Sequence, residues 1–274
     1  MKRSFEIVLV LAAAVAFAFL LLPLAALFLR IPPAELAAQL GSEQAREALL
    51  VSLKTSLIAH VVILGIGTPV AYLLGTRAFR GRSLLVALVE LPLVLPPAVA
   101  GLGLLAAFGR RGLLGDSLEA FGIGLPFSQA AVVLAIVFVA SPFYVRQAIV
   151  AFASLDRALL DAARTLGASP FRTFGRVALP LAAPGLAAGS SLAFARGLGE
   201  FGATIIFAGS FPGVTRTAPL AIYAELDRNF DAALAIGALL VVISATLLLA
   251  VRLLTSWAFF ASTSPSPSVA SSSS

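Results

Sequence analysis

Residues 151–185 read AFASLDRALLDAARTLGASPFRTFGRVALPLAAPG. The stretch predicts two short helices joined by a tight turn. Ser154 is a candidate N-cap, Asp156 falls in the first turn where its charge complements the helix dipole, and Ala158, Leu159, Ala162, Ala163 and Leu166 form an apolar stripe. Gly167 then ends the first helix. Ser169 and Pro170 read as an N-cap and a first-turn proline opening the second, which carries Phe171, Phe174 and Val177 and stops before Pro180. Small residues at Ala162, Ala163 and Gly167 let another backbone approach closely, and Phe171 and Phe174 suit anchors in a groove. The plainer alternative is a hairpin lying on its own protein.

On both sides of this hairpin the chain is apolar. Of 274 residues, 60% are hydrophobic and 12% charged, with a mean hydropathy of +1.03, so no water-soluble core can absorb them. Crossing ~30 Å of hydrocarbon takes about 20 helical residues, and the runs predict six spans at about 5–29, 48–76, 84–108, 129–149, 181–209 and 232–256. The expected fold class is therefore an all-α integral membrane protein. Residues 1–261 form one transmembrane domain, with residues 152–180 as its longest inside loop. The first run is about twice as long as a signal-peptide core and lacks a clear cleavage site. Residues 262–274, STSPSPSVASSSS, bury too little apolar surface to order themselves and read as a disordered tail.

Charge sets the expected orientation. With the amino terminus inside, the cytoplasmic side collects Lys2, Arg3, Arg77, Arg80, Arg82, Arg146, Arg157, Arg164, Arg172, Arg176 and Arg252 against Glu6, Asp156 and Asp161, whereas the other side holds seven basic and eight acidic residues. The positive-inside rule then places both termini in the cytoplasm. The same rule accounts for the formal charge of +6 better than nucleic acid does, because the aromatic residues are mostly Phe within apolar runs. There is no cysteine and one histidine, His60, which reads as a packed or interfacial residue; no metal cluster is expected.

Within 152–180, Asp161-Ala162-Ala163, three residues, Gly167, nine residues, then Val177-Ala178-Leu179-Pro180 resembles the coupling loop of ABC-importer permeases, whose pattern is E-A-A, three residues, G, nine residues, I-x-L-P. Every spacing is kept, with Asp for Glu and Val for Ile. Two further segments, ELPLVLPPAVAGLGLLAAFGRRGLLG (residues 90–115) and ARGLGEFGATIIFAGSFPGVTRTAPLAIY (residues 195–223), resemble the molybdate/tungstate permeases, and sulfate permeases look alike over much of this region. The resemblance implies a six-helix importer permease whose hairpin residues Asp161, Ala162, Ala163, Gly167, Phe171, Val177, Leu179 and Pro180 dock on a separate ATPase. It implies a homodimer with two such ATPase subunits, which bind ATP and Mg, and an extracytoplasmic binding protein that delivers the anion. The cell membrane of a bacterium or archaeon is the implied location. Neither lysine, Lys2 or Lys54, sits in a phosphate loop, so this chain carries no cofactor of its own.

Several residues within spans are candidates for the pathway or its gate. Pro92, Pro96 and Pro97 lack amide hydrogens and disfavour the helical conformation before them, so span three is expected to break or kink; a helix starting at Pro97 would favour anions, while packing or gating is the plainer use. Glu90, about six residues into that span, must snorkel, pair or stay protonated. Arg196 and Glu200, spaced i, i+4, are expected to meet on one helix face as a structural or gating pair. Ser190, Ser191 and Thr204 either line a path or bond their own backbone. The rivals are sulfate or thiosulfate import, a membrane-embedded enzyme, which needs clustered His, Asp or Glu, and a passive channel, which needs no coupling hairpin.

Overall fold

The computed structural model describes residues 2–262 of the chain. Every regular element among them is helical: α1 (Lys2–Leu29), α2 (Pro33–Leu40), α3 (Glu43–Thr76), α4 (Arg82–Val94), α5 (Pro97–Phe108), α6 (Gly115–Ala120), α7 (Gln129–Ala153), α8 (Arg157–Thr165), α9 (Pro170–Thr173), α10 (Leu179–Leu198), α11 (Gly202–Phe207), α12 (Ala218–Glu225) and α13 (Phe230–Ser262), with a π-helical turn, Phe174–Ala178, between α9 and α10. Four stretches are long and apolar enough to cross a membrane: Phe5–Leu29, Glu43–Thr76, Gln129–Ala153 and Pro170–Leu198. A fifth is the pair α4 and α5, if counted as one span bent by 114°. The last expected run lies in α13, whose apolar stretch Phe230–Thr246 is shorter. Of the expected tail, residues 263–274 lie outside the described residues.

The bend has the expected cause. Leu95, which precedes Pro96, takes the extended conformation (φ −72°, ψ 133°) that proline imposes on its predecessor, and α5 restarts on Pro97. The expected span at 181–209 is displaced. Its helix begins at Pro170, passes through the π turn and ends at Leu198, before a non-helical link and the short α11. Proline explains the wider turn: the Pro180 ring crowds the carbonyl of Arg176 four residues back and supplies no N–H to it, and a π turn relieves both.

The chain divides into two compact units. One comprises Met1–Thr55, Gly101–Ala135 and Gly199–Ala245. Its core is Ala45, Ala48, Ala218, Ala221 and Ile236, with Leu49, Ile222 and Leu240 around them, so that mostly methyl-sized side chains let α3, α12 and α13 approach closely. Ser52 Oγ accepts a 2.7 Å hydrogen bond from the Ala218 N–H, satisfying an otherwise orphan donor at the start of α12. Gly101 of α5 lies tight on α11, where an added Cβ would stand 2.9 Å from the Ala203 carbonyl oxygen and from Ile206 Cβ.

The other unit comprises Ser56–Ala100, Ile136–Leu198 and the described residues from Thr246 onward. Here α3, α7 and α10 meet where side chains are absent: a Cβ at Gly67 would lie 2.9 Å from the Tyr144 ring, one at Gly185 2.6 Å from Ala151 Cβ, and one at Gly197 2.8 Å from Ile136. Tyr144 is fully buried, and its hydroxyl is partnered by Thr68 Oγ1 at 2.6 Å.

Candidate functional site

The hairpin forms between α7 and α10, with one change of cap. Ser154 Oγ donates to the Ala151 carbonyl (2.9 Å) and so belongs to the end of α7. The N-cap of α8 is Asp156, whose extended backbone (φ −64°, ψ 116°) points Oδ1 at the Ala158 N–H, 2.9 Å away. The far end of α8 closes as expected on Gly167, which has φ +81°. Its N–H bonds the Arg164 carbonyl (2.9 Å), and the Ala168 N–H bonds that of Ala163 (3.0 Å), the paired pattern of a Schellman turn. Ser169 Oγ accepts from the Arg172 N–H and Pro170 opens the second arm, but that arm does not stop at Pro180; it continues through the π turn into α10.

This turn sorts the hairpin side chains into two sets. Leu160 and Thr173 are buried, and Phe174 packs edge-on to Tyr72 (ring centroids 4.8 Å) and beside Phe152 (6.3 Å). Phe174 therefore fastens the hairpin to its own bundle and is not available as an outward anchor. Leu166 and Phe171 are 88% and 83% exposed, with Asp161, Ala162 and Gly167 also open and Ala163 half-buried. Asp161 pairs with Arg164 at 3.0 Å, an exposed contact of little energetic weight. Further along, Val177 and Leu179 are half-buried and Pro180 is exposed.

The intramembrane candidates fall in different places. Glu90 of α4 pairs with Arg146 of α7, Oε1 to Nε at 3.3 Å. Pro92 lines an apolar cavity of about 280 Å³ together with Val62, Ile66 and Phe138, whereas Pro96 and Pro97 are exposed at the bend. Ser190 Oγ is 2.8 Å from His60 Nε2, and the imidazole stands edge-on to Phe194 at 5.3 Å. Ser191 Oγ donates to its own helix at Ala187 (2.7 Å). Thr204 is fully buried in α11. Arg196 and Glu200 do not share a helix face: α10 ends at Leu198, and Glu200 lies in the link, where Gly197 and Gly199 weaken helix continuation. Glu200 is 2% exposed, and its Oε1 accepts from the Ala203 N–H at 2.8 Å, capping α11.

Two features escaped the sequence. Arg146 counted only towards orientation, although a carboxylate at Glu90 within an apolar helix signals the need for a basic neighbour. A polar cavity of about 610 Å³ in the first unit is lined by Glu47, Arg216, Glu225 and Arg228 among others, and segments so far apart in sequence gave no sign of meeting. Of the lining residues, Arg216 donates to Ser210, and in the same loop Thr215 Oγ1 accepts from the Phe211 N–H.

Residues 67–258 match the family described as binding-protein-dependent transport system inner membrane component. The chain is 46% identical over 233 residues to the molybdenum transport system permease protein ModB of Mycobacterium bovis, covering 85% of this chain and 88% of the relative. It is 39% identical over 209 residues to a probable sulfate transport system permease protein of Nephroselmis olivacea, covering 76% and 74%. Among solved structures, a bacterial ABC transporter involved in importing the acidic polysaccharide alginate superposes with a TM-score of 0.71 at 18% identity, over 93% of this chain and 96% of that one.

Proposed function

The chain belongs to the family of binding-protein-dependent transport system inner membrane components, and on that premise we propose that it is the permease subunit of an ABC importer that carries molybdate into the cytoplasm. The observation that carries the reading is the hairpin. It presents Leu166 and Phe171 to solvent on a turn fixed by Gly167, while Phe174 ties the same element to the bundle. An exposed apolar pair on a rigid mount is what a groove in a separate ATPase subunit would accept.

In this reading two copies of the chain enclose the pathway, and two ATPase subunits, which bind ATP and Mg, seat the hairpins. The extracytoplasmic binding protein meets the loops around Glu47, Arg216, Glu225 and Arg228. ATP-driven closure of the ATPases moves the hairpins and alternates access to the pathway. Molybdate is favoured over sulfate by the higher identity to a molybdenum permease, 46% against 39%. The test is uptake by proteoliposomes holding the chain with its ATPase and binding protein. ATP-dependent accumulation of molybdate, little reduced by excess sulfate, is expected. Accumulation that sulfate abolishes reassigns the substrate, and uptake without ATP refutes the importer reading.

A further inference from the structure

Arg146 of α7 and Glu90 of α4 form an ion pair, and its geometry is one-sided. Glu90 Oε1 meets Arg146 at Nε, on the flank of the guanidinium, and nothing else among the described residues bonds Arg146. The Arg146 side chain is 65% exposed, which leaves guanidinium N–H groups accessible beside the Nε contact. The depth is also informative. Arg146 lies seven residues before the end of α7 and Glu90 eight after the start of α4, which puts both roughly 10–12 Å in from those ends at 1.5 Å per residue. Against hydrocarbon an exposed guanidinium is disfavoured, so this face meets water or a polar ligand.

We propose that Arg146 is an oxyanion-binding residue near the inner end of the transport pathway, with Glu90 as its positioning residue; the inference rests on the oxyanion-import reading above. The two Nη groups offer parallel N–H donors that match two oxygens of a tetrahedral dianion, a recognition lysine cannot reproduce. Glu90 holds the fork in place through Nε and offsets its charge, so the anion is held weakly enough to leave. Gln147, exposed beside Arg146, gives a reporter position for this face. The same fork suits the phosphate of a lipid headgroup, and the experiment separates the two sources.

The chain has no cysteine, so Gln147→Cys can be labelled by a water-soluble thiol reagent without background. In the complete importer, sodium molybdate is expected to protect that cysteine when Arg146 is present and not in Arg146→Lys. Arg146→Lys is expected to lower molybdate uptake about 10-fold to 100-fold, the range for losing hydrogen bonds to a charged group, with the complex still assembled. The loss should be equal in vesicles of phosphatidylcholine alone and in vesicles containing phosphatidylglycerol. Glu90→Gln, which keeps the fork, should lower the molybdate concentration needed for protection. Wild-type uptake by Arg146→Lys, or protection that survives it, overturns the proposal. A defect confined to one lipid composition assigns the fork to a headgroup and overturns it as well. If the wild-type complex imports neither molybdate nor sulfate, the import reading fails instead, and the protection assay still decides whether Arg146 binds the anion.

Discussion

Phe171 and Phe174 are three residues apart on the same short arm, yet their surroundings demand opposite phenotypes from the same truncation. Phe171 is 83% exposed. Of the 150–250 Å² a phenylalanine offers, roughly 120 Å² at the low end is then available to a partner, worth about 3 kcal/mol at ~25 cal/mol per Å². Docking costs reduce this, and about 2–3 kcal/mol corresponds to a rise in Kd for the ATPase subunit of about 30-fold to 150-fold. Phe171→Ala should therefore release the ATPase while leaving the melting temperature of the free permease in detergent unchanged. Phe174 spends its ring on Tyr72 and Phe152, so Phe174→Ala should lower the stability of the free permease by about 2 kcal/mol or more. The assay is a pair of measurements on each variant, ATPase retained on affinity-purified permease and melting of the permease alone. If Phe171→Ala binds like wild type, or if the two variants lose binding and stability together, the division of the hairpin into a docking side and a bundle side is wrong.

Gly167→Trp should weaken ATPase binding with the bundle still folded, since φ +81° taxes any side chain there but no atom lies within 4 Å of an added Cβ; pull-down of the ATPase checks it. Gly101→Leu should destabilise the permease by about 1–3 kcal/mol, because its side chain must displace Ala203 and Ile206; normal melting would show that α5 and α11 separate easily. Glu200→Gln, which keeps an oxygen for the Ala203 N–H, should melt above Glu200→Ala, which loses the cap at a cost of about 0.5–2 kcal/mol, and equal melting would remove capping as the reason for this carboxylate. Cysteines placed at Ser4 and Ser266 should resist impermeant reagents applied to intact cells, as the positive-inside bias requires; labelling at either would overturn the orientation.

What the sequence revealed, and what it hid, follows from the range of each interaction. Local chemistry was readable: Ser169-Pro170 as a helix start, Gly167 as a left-handed stop and Pro96-Pro97 as a break all depend on neighbours a few residues away. Helix continuity was not. Pro180 suggested an end where the π turn absorbs the proline and the helix runs on, while the apolar run through 209 concealed the end of α10 at Leu198. Apolarity records what the solvent tolerates and says nothing of whether the backbone stays helical. Pairings across the fold were least legible, because His60 with Ser190 and Glu90 with Arg146 join residues that only packing brings together. Their chemistry was visible as an isolated imidazole and an isolated carboxylate in apolar helices, each lacking an address for its partner.

The unbroken run from Pro170 to Leu198 makes the hairpin's second arm and α10 one rod of 29 residues, roughly 43 Å long at 1.5 Å per residue. A rod held at one end acts as a lever arm. A tilt of roughly five degrees imposed at Pro170 would sweep Leu198 through about 4 Å, more than the diameter of a water molecule, with no change in internal hydrogen bonding. The π turn is the point of compliance in that arm, since its looser winding can tighten or relax by one residue. Replacing the residues that widen it would leave each end correctly built and change how faithfully motion at one is felt at the other.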